Sequence, residues 1–254
     1  MTGLDTPLVL LAVLGLLAGV GITALGPGGV LTTIGLFALT GLSPAHVAGT
    51  AIVTNIAPGV LATAVYTRSG HLRGPETRRT ALILAGTSVV GTPFGVLING
   101  LVSGGVFGVL LGAFLALVAA LVWYRDRHAD PTRTPAHPPT SVVAGLGLAV
   151  AAASGIFGVG GPMLTVPLLI ALGVPVLSAL AAAQAQSVVI ATVGTLGYLA
   201  HGAIDWPLAA LMGVPEVAGV LIGWVIARAL PTRALKYALI AALFALAPYL
   251  ALHG

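Results

Sequence analysis

The sequence predicts an all-α integral membrane protein built from two repeats, and three observations carry that reading. Only 6% of the 254 residues are charged, 58% are hydrophobic, and mean hydropathy is +1.10, whereas a soluble domain carries roughly 25% charged residues. Apolar runs at 8–25, 45–66, 81–98, 106–124, 142–157, 174–200, 208–230 and 234–252 approach or reach the roughly 20 residues that cross a hydrocarbon core of about 30 Å. A glycine motif then recurs at a constant offset along the chain. In lipid every backbone N–H and C=O must be paired internally, which leaves helices or closed barrels. The runs are rich in Leu, Ala, Val and Gly and lack the alternation of barrel strands, so helices are expected.

No Lys or Arg precedes the first apolar run, so it does not read as a cleavable signal peptide. Cysteine is absent, which removes disulfides, thiol chemistry and cysteine-ligated metals. The net charge of +4 comes from arginines between apolar runs. That is the pattern of cytoplasmic loops and not of nucleic-acid binding.

The repeat is legible residue by residue. Leu25-Gly-Pro-Gly-Gly29 aligns with Phe157-Gly-Val-Gly-Gly161. At the same offset Thr33 meets Thr165, Gly41 meets Gly173, Tyr66 meets Tyr198 and Gly70 meets Gly202. Gly91 and Gly95 meet Gly219 and Gly223 after a four-residue shift. One transmembrane domain therefore divides into an N-terminal repeat 1–124, a polar linker 125–140 and a C-terminal repeat 141–254. The linker carries four prolines and three arginines and reads as solvated.

Charge placement orients the halves. Arg68, Arg73, Arg78 and Arg79 make one loop basic, while its repeat mate around His201–Trp206 offers only Asp205. Opposite bias in equivalent loops implies inverted-topology repeats, with the linker cytoplasmic and both termini outside. The stretch 141–173 must then leave and return on one side. At 1.5 Å per residue, 162–172 is too short to span. Each half is expected to be a re-entrant or broken helical hairpin with its tip at the glycines, followed by three transmembrane helices. A single long broken helix is the alternative.

The tips at Gly26, Gly28 and Gly29 and at Gly158, Gly160 and Gly161 interrupt the helix deep in the chain's apolar stretches. Glycines let backbone N–H groups turn outward and a ligand approach closely. The helix that follows presents a positive N-terminal end with unpaired N–H groups. Two such ends would form an anion site without a buried Arg or Lys; simple close packing of helices is the competing explanation. Polar residues follow at matched positions: Thr33 and Thr165, Thr54 and Gln186, Asn55 and Ser187, with Gln184 beside them. They either line a pathway or hydrogen-bond neighbouring helices. Glu216 lies inside an apolar span, where a charged carboxylate facing lipid costs a few kcal/mol. It is the candidate proton-coupling residue, or else a protonated acid making one interhelical bond. No catalytic or metal-binding residues and no cofactor are expected.

Gly158-Val-Gly-Gly-Pro-Met-Leu-Thr-Val-Pro167, the later Gly-Ala-Ile-Asp-Trp206 and the Gly219-x-x-x-Gly223 span resemble the sulfite exporter TauE/SafE family over nearly the whole chain. Pro27 and Thr32–Thr33 depart from the family's pattern in the first half. The resemblance implies a multi-pass cell-membrane transporter of a small inorganic or organosulfur anion, such as sulfite or a sulfonate. Its partners would be that anion and the lipid bilayer, without nucleic acid; an oligomer is not indicated. An anion or weak-acid channel on the same scaffold is the alternative. An intramembrane enzyme would need a nucleophile–base pair or metal cluster, and an ATP-driven pump a nucleotide motif; the sequence carries neither.

Overall fold

A computed structural model describes residues 5–24, 27–127 and 138–229. The last apolar run, 234–252, Gly26 and most of the linker lie outside the described residues. All described secondary structure is helical. The helices are α1 (Asp5–Ala24), α2 (Val30–Leu39), α3 (Pro44–Thr54), α4 (Ile56–Arg68), α5 (Pro75–Asn99), α6 (Gly104–Arg127), α7 (Thr140–Phe157), α8 (Pro162–Ala171), α9 (Val176–Ala200) and α10 (Trp206–Ala229). A 3-10 turn, Pro27–Gly29, leads into α2. Among the described residues, six helical stretches are long and apolar enough to cross a membrane, counting α3–α4 as one. The stretch Thr140–Phe157 is among them, although its sequence reads as a hairpin arm. Helix α6 runs on to Arg127, so the polar segment after position 124 starts as helix.

The helix starts follow from local chemistry. Pro44, Pro75 and Pro162 occupy first-turn positions, where the missing N–H has no intrahelical acceptor. Ser43 caps α3 by accepting from the His46 N–H. Gly158 ends α7 at φ +69°, a conformation costly for residues with a Cβ. A side chain there would also strike the Ala48 backbone of α3.

Large apolar side chains lie on the outside of the bundle as well as in its core, and several polar ones are inside. Phe94, Leu97, Leu101, Val214 and Leu221 face outward, while Thr32, Thr33, Asn55, Gln184, Gln186 and Glu216 are buried. With no hydrophobic drive between helices in lipid, close packing of small residues holds them together. On α5, Gly91 lies against the Leu148 carbonyl and Gly95 against that of Ala152, both on α7. On α10, Gly219 and Gly223 meet Leu16 and Val20 of α1 in the same way. Leu16 and Val20 are the repeat mates of Leu148 and Ala152, so one interface reproduces the other with the halves exchanged.

Chain directions follow from cross-links. Arg79 near the α5 start bonds Thr140 at the α7 start. Asn99 at the α5 end donates to Ile156 O at the α7 end (2.7 Å) and to Pro44 O at the α3 start (3.4 Å). Helices α5 and α7 are therefore parallel, and α3–α4 runs against them. Helix α8 doubles back: Leu169 and Val174 pack with Val143 near the α7 start and with Ala81 and Leu84 of α5. Helix α2 doubles back too, with Ile34 and Leu36 clustered on Leu11 of α1. Both glycine motifs are thus tips of helical hairpins. At the far end of α9, the Tyr198 hydroxyl donates to Gly155 O (2.6 Å).

Adding a side chain at the glycine seams should cost stability. Gly95→Val and Gly219→Val are each expected to lose about 1–3 kcal/mol through overpacking, read as a lower melting temperature in detergent. Gly86→Ala, where a Cβ meets nothing within 4 Å, should melt no lower than the parent.

Candidate functional site

The two hairpin tips meet midway along the helices that follow them. A small pocket lies between them, lined by Gly29, Val30, Asn55, Gly160, Gln184 and Ser187, with Ile22, Pro58, Gly59, Pro162 and Met163 completing the wall. No lining residue is charged. The Asn55 side chain is central: its Oδ1 faces both Gly29 and Gly160, and Ser187 Oγ also faces Gly160. The enclosed space is about 10 Å³, room for about one water.

Two helix N-termini converge here. Val30 opens α2 after Gly29 and Pro162 opens α8 after Gly161; neither carries a side-chain cap bond. The first N–H groups of a helix have no intrahelical acceptor, and each N-terminus carries roughly half a positive charge. Beside them the α3–α4 helix is kinked at Asn55, which keeps helical angles and has its own N–H and C=O paired, with Ile52 O and the Gly59 N–H. Sequence reasoning anticipated the α2 and α8 ends and missed the kink. Its signal was present in Pro58, which has no N–H to donate to the Thr54 carbonyl four residues back. The helix kinks at Asn55, whose Nδ2 donates to Ala51 O (2.9 Å). The repeat mate of Pro58 is Ile190, and α9 runs unbroken through the matching position.

Of the candidate residues, Gly29, Asn55, Gly160, Gln184 and Ser187 are brought together at the pocket. Gly28 packs against the α1 backbone and Gly158 against Ala48. Gly161 abuts Gln186 and Ile190. Thr165 donates to Gln186 Oε1 (2.5 Å), and Gln186 Nε2 donates to Gly147 O (3.4 Å), which fastens α8 and α9 to α7. Thr33 is buried without a hydrogen-bond partner among the described residues. Thr54 donates to Ala51 O (2.9 Å) and lies beside Glu216. Glu216 is wholly buried and sits behind the pocket wall, not in it. Thr50, ahead of the kink, accepts from the Asp205 N–H (2.9 Å), tying α3 to the loop that leads into α10.

Residues 11–250 match the family model described as sulfite exporter TauE/SafE. The chain belongs to that family. Among curated proteins it is similar to the probable membrane transporter protein YdhB of Bacillus subtilis (strain 168), with 26% identity over 88% of this chain and 91% of the relative. It is also similar to a probable membrane transporter protein of Xylella fastidiosa (strain 9a5c), with 31% identity over 83% of this chain and 81% of the relative. No solved structure matches. As a TauE/SafE member the chain is a membrane transporter and not an enzyme.

Two neighbouring glutamines should separate by role. Gln186→Leu leaves Thr165 and the Gly147 carbonyl without their partner and is expected to cost about 1–3 kcal/mol. Gln184→Leu faces the pocket and breaks no such bond, so its melting temperature should stay near the parent's. Differential scanning calorimetry of both variants checks this.

Proposed function

We propose that this TauE/SafE transporter is a secondary transporter exporting a small sulfur oxyanion, sulfite or an organosulfonate, across the cell membrane. The observation that carries the reading is the convergence of two uncapped helix N-termini, of α2 and α8, on one polar-lined pocket with no charged residue among its described lining. Such ends bind anions through backbone N–H groups and the helix dipole. Asn55 Nδ2 is committed to Ala51, so the Gln184 amide and the Ser187 hydroxyl are the side-chain donors left for the anion. The family description supports the substrate class.

On this reading the two halves are inverted repeats, with hairpin tips entering from opposite faces and the linker cytoplasmic. The exchanged α1–α10 and α5–α7 interfaces and the returning α2 and α8 support it. A space of about 10 Å³ does not hold a sulfite-sized anion, so the tips must part to load and release it. That favours alternating access over a channel, which needs a continuous open path.

Anion-induced thermal stabilisation of the purified protein tests the proposal. Sulfite or a sulfonate should raise the melting temperature selectively over chloride, since a ligand at 100 times its Kd adds about 2.7 kcal/mol. A Cβ on Gly160 would press on Ser187 Oγ at 3.0 Å and Asn55 Oδ1 at 3.3 Å. Gly160→Ala should therefore weaken the shift about tenfold in concentration while the chain still folds. Equal stabilisation by every anion, or an unchanged response in Gly160→Ala, sinks the proposal.

A further inference from the structure

We infer that Glu216 is a proton-binding site coupled to the pocket through Thr32 and Thr54. This rests on the transport reading above and adds a proton to it. Glu216 has no exposed surface. Its Oε2 accepts from Thr32 Oγ1 at 3.3 Å, and its Oε1 has no hydrogen-bond partner among the described residues. Thr54 is its second hydroxyl neighbour, and the same Oγ1 lies 2.9 Å from Ala51 O. The one hydroxyl proton serves either acceptor: given to Ala51 O, it leaves Glu216 a lone pair that matches a carboxyl O–H; given to Glu216, it matches the ionised form.

Among the described residues no counter-charge substitutes for the proton. The described elements packed on this part of α10 are α1 through Gly19, α2 through Thr32, α3 through Thr54, and α4. Their titratable residues are Asp5 at the first position of α1, His46 in the first turn of α3 and Arg68 at the last position of α4, each at the helix end away from the contact; Arg228 lies about three turns along α10 from Glu216. Burial of an unpaired carboxylate in such a place is strongly unfavourable. On the Thr54 side, that residue lines an open, mostly apolar groove of about 430 Å³ that runs from Trp206 at the α10 start to Val217.

The coupling follows from where the two threonines sit. Thr32 is one helical turn beyond Gly29, and Thr54 directly precedes Asn55. Glu216 on α10 therefore holds the Gly29 tip and the Asn55 kink, which form two walls of the pocket. When the proton leaves Oε1, its electron pair stays on the carboxylate. Thr54 must then turn its hydroxyl from Ala51 O to Glu216, which loosens the turn that sets Asn55. The repeat mate of Glu216 is Ser88, which spends its hydroxyl on Leu84 O (2.7 Å). One proton per chain is the stoichiometry this asymmetry predicts.

Infrared difference spectroscopy of the protein in lipid nanodiscs tests the inference, helped by a total of six Asp and Glu in the chain. A protonated-carboxyl C=O band should be present at neutral pH, absent in Glu216→Gln and shifted in Thr54→Val. Saturating sulfite, in parallel with the melting assay, should change that band. Its absence from the wild-type protein, or its persistence in Glu216→Gln, overturns the proton site. A band indifferent to sulfite, when sulfite stabilises the fold, overturns the coupling. No sulfite stabilisation at all counts against the transport reading alone, because the band is still assigned by Glu216→Gln. If Glu216→Gln does not fold, Thr32→Val and Thr54→Val replace it: a band unmoved in both overturns the inference.

Discussion

In hydrocarbon an unpaired backbone N–H or C=O costs several kcal/mol, and this chain breaks its helices in the middle of its bundle at Pro27–Gly29 and 158–161. Those breaks survive because protein surrounds them. Gly28 rests on the α1 backbone and Gly158 on Ala48, so neither tip meets lipid. The glycine seams between α5 and α7 and between α1 and α10 serve the same end. They bring the backbones of the paired scaffold helices into contact. The site and the packing are consequences of one requirement, that broken helix be enclosed.

How much of this could be read beforehand depended on what set each feature. The repeat, the hairpin lengths and the tips were legible because glycine spacing and helix rise are local properties. Asn55, Gln184 and Ser187 were picked out as polar residues in apolar runs, and they meet at the pocket. Their neighbours were not separable from them. Gln184 and Gln186 lie two residues apart, so they face different sides of α9, but a helix apolar all round carries no moment to say which side is inward. Thr54 and Gln186 are repeat mates, yet one neighbours a carboxyl on α10 and the other ties α7 to α8. The kink at Asn55 went unread because Pro58 in an apolar run is compatible with an ordinary span, and only the packing of Asn55 between the tips ties the kink to the site.

The pocket's electrostatics suit release as well as binding. No Lys or Arg lines it; the arginines described here, such as Arg68 and Arg79, sit at helix ends. A helix terminus contributes typically 0.3–1 kcal/mol toward an anion, up to about 2 when partly buried. Two of them give about 1–4 kcal/mol, which by itself corresponds to millimolar or weaker binding. A buried guanidinium would hold an oxyanion with charge-assisted bidentate bonds and slow its departure. An exporter working down to low internal concentrations but required to empty at the other face is served by the weaker arrangement.

The repeat's broken symmetry bears on motion. If both halves were identical, the two hairpins would be bound equally to their scaffold and nothing would decide which releases first. Here the second hairpin is fastened by neutral bonds, Thr165 to Gln186 and Gln186 to Gly147, which do not respond to protons. The first hairpin is fastened by Glu216 through Thr32, beside a helix already kinked at Asn55 and a groove that α10 does not fill. A change of one proton therefore acts on the first half and leaves the second as its fixed support. On the proposed reading of an anion pocket shared by both tips, that inequality would couple loss of a proton to the parting of Gly29 from Gly160.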